Sequence, residues 1–563
     1  MASFVSAIFL GLSWITPNHF PPWVSWLNEA WAFVAVMWAM GAALISKDER
    51  QRLVSFPRSA WPLLLLAIVV VLQGAIGRIL FLGDVAILLF YLILCMFALS
   101  IGYKLGGPQV SPSGQAAGQS LIPQFAMLVL VGGFFSAVIA LVQVLDVWET
   151  VSWIHRMPGP HRPGANLGQT NQLATFVLFS LASAAYLFEL KRLSVVTALL
   201  VVAFLLVGLA VTESRTGALS LLLMAAWWTV RHRRLGFLLS SRGVVLWLVF
   251  FACCFWLWPI VLDYILISGS TVSTVNLQAG TRLLVWPQLW QAILLRPWFG
   301  WGLLKVPEAL NAVLHLYPHS DNFTYAHSAF LDLAVGIGLP LTALLVLVTC
   351  VWLWRRARDT RDITSWYCLA FALPFGVHSM LEFPFAYAYL LAPVMFLLGV
   401  LERNLAQHHV VSVRWGSMAV AWTLTSAAMI WSVSEYLAIE EDFRVARFEI
   451  LKVGQTANNY QRPNILLLTQ MDAFLEGIRL SPTATMAPKR LELARVVAMH
   501  FPGPATQNRY AMSLALNGDS EEALRQLLVM RAMYGEKTYE DIKLRWVMSS
   551  EGKFPQLRLL KLP

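Results

Sequence analysis

The sequence predicts an all-α polytopic membrane protein with one large extramembrane loop and a small helical C-terminal domain. Of the 563 residues, 58% are hydrophobic and 13% are charged, and the mean hydropathy is +0.64. A soluble protein of this size carries about twice that charged fraction. Repeated apolar runs of about twenty residues indicate spanning helices, because lipid offers no hydrogen-bond partner to an unpaired backbone group.

About thirteen apolar segments qualify as transmembrane helices. We place them near residues 2–16, 30–46, 60–77, 85–103, 124–145, 171–190, 194–211, 217–230, 243–264, 329–354, 364–380, 387–401 and 415–434. The segment from Met1 to Ile15 has neither a basic n-region nor a small-residue cleavage site. We therefore expect it to remain as a first span and not to be removed as a signal peptide.

Basic residues concentrate in the even-numbered loops between these segments. They are Lys47, Arg50, Arg52, Arg58, Lys191, Arg192, Arg231, Arg233, Arg234, Arg242, Arg355, Arg356, Arg358, Arg361, Arg403 and Arg414. The positive-inside rule makes these loops cytoplasmic, so the odd-numbered loops and the tail lie outside. Much of the net charge of +10 is thereby explained, and we expect membrane lipid but no nucleic acid as a partner.

Cysteine usage excludes several classes of site. All five cysteines lie inside or at the ends of apolar runs, and the sequence contains no CxxC pair or Cys/His cluster. Disulfides and a structural zinc site are therefore not expected. We predict no metal ion and no cofactor.

The domain organisation follows from a change in composition near residue 435. Residues 1–435 form the predicted membrane domain, and residues 436–563 form a helical domain outside the membrane. Asn508–Leu524 has a central Gly518 between two helical patterns and resembles a tetratricopeptide-like hairpin, while Pro488–His500 predicts a further helix. Such a domain either stabilises the membrane part or binds a partner.

The ninth loop, about residues 265–328, is predicted to be a catalytic platform at a membrane surface. Long loops rich in aromatic and aliphatic residues are usually functional and not disordered. Arg282 lies one helical turn before Trp286, where it serves a ligand or snorkels to lipid headgroups. His319 and His327 are the candidate general bases, because neutral imidazole accepts a proton at physiological pH. His327 directly precedes a span.

Three further outer loops carry candidate ligand-binding residues. The fifth loop ends with Arg162, Asn166, Gln169 and Asn171 before a span. Amides and a guanidinium at a helix entrance bind sugar or phosphate groups, or else cap the helix and pack the loop.

The seventh and eleventh loops add an arginine and a His/Glu pair. Arg215 sits between two spans, where it pairs with Glu213 or with a bound pyrophosphate. His378 and Glu382 are four residues apart and share a face if the helix continues, but HxxxE without a third ligand does not indicate a metal site.

Taken in order, these motifs resemble the O-antigen ligase and polymerase superfamily of bacterial inner membranes, and most of all its PglL-type protein O-oligosaccharyltransferases. The resemblance rests on Pro17-Asn-His19 with Pro22-Trp23, Arg162 with Asn166, Gln169 and Asn171, Ser214-Arg-Thr-Gly217, Arg282 with Trp286, Pro297 with Gly300-Trp-Gly302, His327 through Gly338, and His378 through Pro384.

This resemblance implies a multi-pass inner-membrane enzyme whose active site faces the periplasm. It would transfer a preassembled glycan from undecaprenyl pyrophosphate, without a metal, to Ser or Thr hydroxyls of a periplasmic protein such as pilin. His327 would be the catalytic histidine, and Arg215 and Arg282 would bind the pyrophosphate. The family often has Asn directly after this histidine. Here the residue is Ser328, so either Asn322 substitutes in space or the amide is dispensable.

Three other functions remain open from the sequence. An O-antigen ligase with a lipid A core acceptor and an O-antigen polymerase use the same chemistry. A transporter of lipid-linked glycan also needs many spans, but it predicts polar or interrupted helices near the bilayer midplane. The polar motifs here cluster at the outer ends of the spans.

Overall fold

The structure is a computed structural model that describes residues 2–17, 20–45, 53–106, 121–145, 153–155, 162–266, 278–405 and 410–562. The motif residue His19 and residues 267–277 of the ninth loop lie outside the described residues.

Helices form at every apolar segment that was predicted to be a span. The helices up to the ninth loop are α1 (Ala2–Ile15), α2 (Trp26–Ile45), α3 (Trp61–Ala75), α4 (Leu82–Leu105), α5 (Leu121–Val144), α6 (Thr170–Glu189), α7 (Val195–Val211), α8 (Arg215–Leu235) and α9 (Ser241–Leu266). Next come α10 (Gln278–Leu295), α11 (Val306–Leu314), α12 (Ala329–Ile337), α13 (Leu339–Asp359), α14 (Ile363–Leu381), α15 (Ala388–Leu405) and α16 (Trp415–Leu451). The tail contains α17 (Thr469–Arg479), α18 (Pro488–His500), α19 (Pro504–Leu516) and α20 (Ser520–Glu551).

The predicted class, an all-α polytopic membrane protein, is confirmed. Among the described residues, nine helices are long and apolar enough to cross a membrane, and the helices at Ser3–Ile15 and Val195–Val211 are shorter but apolar. The number of about thirteen spans stays a prediction.

One predicted span is interrupted. Residues 329–354 were expected to form one helix, but α12 ends at Ile337 and α13 begins at Leu339. Gly338 between them has φ +83°, and a side chain there would meet the carbonyl oxygen of Trp298 at 2.3 Å. The backbone N–H of Leu339 donates to Pro297 O at 2.7 Å. The chain therefore breaks where another segment packs against it, and only glycine fits at that point.

Two short strands were not predicted. Strands β1 (Leu53–Pro57) and β2 (Val410–Arg414) pair antiparallel, with Leu53 opposite Arg414. They join the second loop to the twelfth.

The chain divides into two compact units. Unit 1 consists of Met1–Leu66, Phe90–Thr274 and Val348–Ser426, and unit 2 of Ala67–Leu89, Val275–Leu347 and Ala427–Pro563. The tail is thus grouped with the ninth loop. The domain boundary at residue 435 stays a prediction.

Within unit 1, contacts join even-numbered loops to one another, and we call this side the basic end. They are the β1–β2 pair, the bonds from the backbone N–H groups of Leu238 and Leu239 to Glu189, the bond from Arg231 to Ala357 O, and the Arg356–Glu402 ion pair. These contacts therefore bring together loops that the positive-inside rule assigns to the same side of the membrane.

Odd-numbered loops of unit 1 meet at the other end, which we call the amide end. Its contacts are Asn166 with Ile15 O, Ser214 with Asn171, Asn171 with Glu382, and Glu29 with the backbone N–H of Ala388. The compartment that each end faces stays a prediction.

The core of unit 2 is built from the ninth-loop helices together with the tail. Buried residues of α10, α11 and α12 cluster with Val529 and Met533 of α20. In the tail, α18 has the predicted bounds, and α19 is followed by Gly518 at φ +92° and a helix capped by Asp519. The helical hairpin is confirmed, while its likeness to a tetratricopeptide stays a prediction.

Candidate functional site

The predicted site residues fall into two groups, one in each unit. Unit 1 holds Arg162, Asn166, Gln169, Asn171, Arg215, His378 and Glu382, and unit 2 holds Arg282, Asn322 and His327.

Asn166 builds the loop that leads into α6. Its side chain is fully buried, and Nδ2 donates to Ile15 O at 2.6 Å and to Trp153 O at 3.0 Å. Its Oδ1 accepts the backbone N–H of His155 at 2.9 Å. Because these bonds engage both the nitrogen and the oxygen of the amide, Asn166 packs the loop, and a substrate-binding role for it stays a prediction.

Asn171 joins the starts of two helices to the end of a third. The hydroxyl of Ser214, which caps α8, accepts the backbone N–H of Gly217 at 3.0 Å and donates to Asn171 Oδ1 at 2.7 Å. Asn171 Nδ2 donates to Glu382 Oε1 at 3.4 Å. The N-termini of α6 and α8 therefore lie side by side, and helix N-termini favour bound anions.

Two arginines and two carboxylates share this position. Burial lowers the pKa of Arg162. The charges of Glu213 and Glu382 raise this pKa, and the charge of Arg215 lowers it, so the four charges interact. The Nε of Arg162 is buried and has no hydrogen-bond partner among the described residues. Arg215 is exposed at the first position of α8. The end of the unit thus presents guanidinium groups that protein atoms do not fully satisfy.

A chain of amides and phenols lies next to these charges. Gln169 donates to the Tyr387 hydroxyl at 3.2 Å and accepts from Gln172 at 2.9 Å, while Gln172 accepts from Tyr389 at 2.6 Å. The ring of Phe383 stacks on Tyr387 with a centroid distance of 6.0 Å. Gln169 itself is exposed, so its amide lies at the surface beside these aromatic rings.

His378 and Glu382 do not continue one helix, contrary to the condition under which they would share a face. Helix α14 ends at Leu381, and Glu382 has extended backbone angles. The His378 ring is 1% exposed, and its Nδ1 lies 2.8 Å from the Thr175 hydroxyl. His378 thus holds α14 against α6, whereas Glu382 turns towards Asn171.

Glu29, which the sequence analysis did not single out, is a buried carboxylate at the amide end. It is 2% exposed, and its Oε2 lies 2.7 Å from both the Tyr91 hydroxyl and the backbone N–H of Ala388. The Tyr91 hydroxyl also lies 2.9 Å from Ala386 O. Glu29 therefore fixes the turn that carries Tyr387. The sequence feature that could have identified Glu29 is a carboxylate in the first turn of an apolar helix.

In unit 2, His327 occupies a constrained turn before α12. Its φ is +53°, a region that non-glycine residues rarely adopt. The backbone on its N-terminal side is held at both polar groups: Ala326 N–H donates to Asp332 Oδ1 at 3.0 Å, and Ala326 O accepts from Trp286 Nε1 at 2.9 Å. The Phe323 ring lies 4.5 Å from the imidazole. The surroundings thus stabilise the strained geometry at His327, as is usual at functional sites.

Arg282 lies on the helix that Trp286 joins to the turn at His327. Both residues lie on α10, one turn apart and on one face, as the sequence predicted. Since Trp286 bonds to Ala326, Arg282 lies on the part of α10 that borders the His327 turn.

Asn322 is used by the tail. Its Nδ2 donates to Pro502 O at 2.8 Å, and its backbone N–H donates to Asp321 Oδ1 at 2.7 Å. The amide therefore ties the ninth loop to the segment between α18 and α19. A substrate-binding role for Asn322 stays a prediction.

Three parts of the chain match models of known protein families. Family profiles described as "Protein glycosylation ligase", "O-Antigen ligase" and "Virulence factor membrane-bound polymerase, C-terminal" match residues 163–188, 199–347 and 366–546, respectively. The resemblance to O-antigen ligases and protein O-oligosaccharyltransferases that the motifs carry is confirmed by these matches.

Two similar proteins come from Acinetobacter baylyi. A "General O-oligosaccharyltransferase" is 26% identical over 559 residues, covering 96% of this chain and 94% of that protein. A "ComP-specific O-oligosaccharyltransferase" is 24% identical over 404 residues, covering 70% of each. The similarity to the first extends through both units and the tail.

Proposed function

We propose that this protein transfers a preassembled oligosaccharide from undecaprenyl pyrophosphate to Ser or Thr hydroxyls of periplasmic proteins, such as a pilin. It acts in the bacterial inner membrane with its active site on the periplasmic side, and without a metal ion. The full-length similarity to a protein named for O-oligosaccharyl transfer supports the reaction class.

The observation that carries the proposal is the amide end of unit 1. Two helix N-termini, the partly unsatisfied Arg162 and the exposed Arg215 favour a bound phosphate group. Gln169 and the Phe383–Tyr387 stack supply amide and aromatic contacts for the sugar that is joined to it. A lipid-linked pyrophosphoryl glycan combines these two chemistries in one molecule.

In the proposed reaction, His327 acts as general base. Its imidazole accepts the proton of the acceptor hydroxyl, the hydroxyl oxygen forms a bond to the anomeric carbon, and the bond between that carbon and the phosphate oxygen breaks. The electron pair leaves with undecaprenyl pyrophosphate. Arg215 and Arg282 stabilise its negative charge, and such preorganised cations replace the metal ion that other transferases use.

The test is transfer by the purified chain in nanodiscs with lipid-linked glycan and a Ser/Thr-containing acceptor protein. We expect His327→Ala to abolish measurable transfer while the variant purifies and unfolds like the native protein. His319→Ala is the matched control, because His319 is exposed in the same loop, and it should retain full activity. A folded His327→Ala protein that transfers glycan at the native rate would disprove the mechanism.

The second candidate function is an O-antigen ligase with a lipid A core acceptor, which the match to the O-antigen ligase profile over residues 199–347 supports. Offering lipid A core in place of protein in the same assay separates the two. Glycan chains that lengthen without either acceptor identify a polymerase. Glycan that crosses sealed vesicles without transfer to any acceptor identifies a transporter.

A further inference from the structure

We infer that helix α10 lies flat in the membrane interface, with its outer face in contact with lipid. This helix is apolar on two sides. Val285, Leu289, Ala292 and Ile293 are buried in the core of unit 2. The outer face, which consists of Leu283, Leu284, Trp290, Leu294 and Leu295, is exposed along the whole helix. A helix with a second apolar face is unusual at a water-exposed surface and indicates a further apolar neighbour.

Two spans end beside the C-terminal turn of α10. The backbone N–H of Leu339, the first residue of the candidate span α13, donates to Pro297 O at 2.7 Å. Arg78, three residues beyond the end of the candidate span α3, donates from Nη1 to Phe299 O at 2.8 Å. The turn at Pro297–Phe299 therefore lies at the depth where both spans leave the hydrocarbon.

The side chains at this turn suit a membrane interface. Trp298 and Phe299 are 71% and 72% exposed, and aromatic residues concentrate at the boundary between lipid and water. The Arg78 guanidinium lies 5.9 Å from the Phe299 ring centroid, and the Arg296 guanidinium lies 4.1 Å from that of Trp301. Arginines held against aromatic rings at this depth are placed to meet lipid phosphates.

Two candidate spans of unit 2 also expose apolar side chains. Ile68, Val71 and Leu72 of α3 and Leu344 and Leu347 of α13 are exposed on the parts of these candidate spans that belong to the unit. Helices that cross a membrane expose such residues to acyl chains. Because the Pro297–Phe299 turn, which follows α10, is bonded to Leu339 and Arg78 at the ends of these spans, the neighbour of the outer face of α10 is lipid.

A flat helix and an upright helix predict different depths for its two ends. Leu283 and Leu294 are eleven residues apart, which is about 16 Å along the axis. In a flat helix both side chains lie at the level of the headgroups and upper acyl carbons. Arg282 then lies at the same level, next to the phosphates of any lipid.

The experiment measures depth with a fluorescent probe. NBD is attached to Leu283→Cys, Leu294→Cys or the control Leu544→Cys in a variant without native cysteines, in nanodiscs that contain lipids with a nitroxide at the headgroup or at acyl carbon 12. Leu544 is exposed and apolar but lies in the tail helix α20. We expect headgroup nitroxide to quench both α10 probes at least threefold more than the control, with weak quenching from carbon 12.

Several outcomes contradict the inference. Quenching at position 294 but not 283 means that the helix stands upright. Quenching at neither position means that the face is not in lipid. Shielding of both probes only after addition of acceptor protein, or only at high concentrations of the chain itself, assigns the face to that partner. The readout needs no transfer activity, so it is independent of the proposed function.

If the cysteine-free protein does not fold, a photoreactive benzoylphenylalanine at position 294 of the otherwise native chain replaces the probe. An adduct whose mass equals one phospholipid supports the inference, and adducts to protein alone overturn it.

Discussion

The two ends of unit 1 use charged groups in opposite ways. At the basic end, the guanidinium of Arg356 meets Glu402 with Nη2 and Oε2 2.9 Å apart, and Trp352 donates to the same carboxylate at 2.7 Å. At the amide end, Arg162 keeps a buried Nε with no partner among the described residues, and Arg215 is exposed. Charges that neighbouring residues satisfy hold a structure together, whereas unsatisfied charges remain available to a ligand.

This difference separates stability from activity. Substitutions at the basic end should lower the free energy of unfolding and leave transfer per folded molecule unchanged. Substitutions at the amide end should slow transfer and leave the free energy of unfolding unchanged, except at Asn166 and Glu29, whose buried side chains bond to backbone groups.

The largest effect is expected for Glu402→Ala. It leaves the partly buried guanidinium of Arg356 and the indole N–H of Trp352 without their acceptor, and breaking a buried ion pair by removing one partner costs about 3–5 kcal/mol. Thermal unfolding in detergent measures the loss. Glu441→Ala is the control, because its ion pair with Arg444 is solvent-exposed, and its midpoint should barely change. Equal midpoints for both variants would contradict the assignment.

Next in size is Arg215→Ala. Loss of one stabiliser of the leaving pyrophosphate should reduce the transfer rate about a hundredfold. The unfolding midpoint should stay within error, because Arg215 is exposed. Arg361→Ala removes an exposed arginine at the basic end and should keep full activity. If both variants lose activity to the same extent, the arginines act through overall charge and not through a site.

Asn166→Ala and Asn171→Ala should differ in kind. The first leaves three backbone groups unpaired, at Ile15, Trp153 and His155, and should cost about 1–3 kcal/mol of stability. The second releases Ser214 and Glu382, and we expect about tenfold slower transfer, equivalent to about 1.4 kcal/mol, with little change in unfolding. Parallel rate and unfolding measurements decide between them. If Asn166→Ala slowed transfer and Asn171→Ala lowered stability, the two residues would have the opposite roles.

The smallest effect is expected for Tyr387→Phe. It removes the hydroxyl that accepts from Gln169 and keeps the stack on Phe383. One neutral hydrogen bond contributes about 0.5–1.5 kcal/mol, so the transfer rate should fall by about threefold. Tyr387→Leu also removes the aromatic face and should slow transfer further. Equal rates for the two variants would show that stacking does not contribute.

Local signals in the sequence were sufficient for much of the fold. Proline at the start and histidine at the end gave the bounds of α18, and Gly518 marked the turn between α19 and α20. The break at Gly338 was missed because averaged hydropathy does not register one glycine between apolar residues. The β1–β2 pair was missed because each strand has only five residues and forms only when it pairs with a partner distant in the sequence.

The amide end was predictable in composition but not in detail. Residue types at span entrances singled out Arg162, Asn171 and Arg215, because uncompensated polar groups there are costly, and the structure places these residues near one another. The sequence could not distinguish Asn166 from Asn171, since the direction of an amide depends on tertiary packing. For the same reason it gave no sign that Trp286 would fix the backbone before His327.

The ribbon of β1 and β2 has a consequence for biogenesis. Its two halves are separated by more than 300 residues, so the first strand is made long before the second leaves the ribosome. Until then the early helices lie in the bilayer without this strand pairing, which can form only after the twelfth loop has been synthesised. Truncation before residue 410 should therefore yield a chain that inserts into the membrane and is then quickly removed by quality-control proteases. Proteins whose strands pair over a long sequence separation remain incompletely folded during synthesis in the same way.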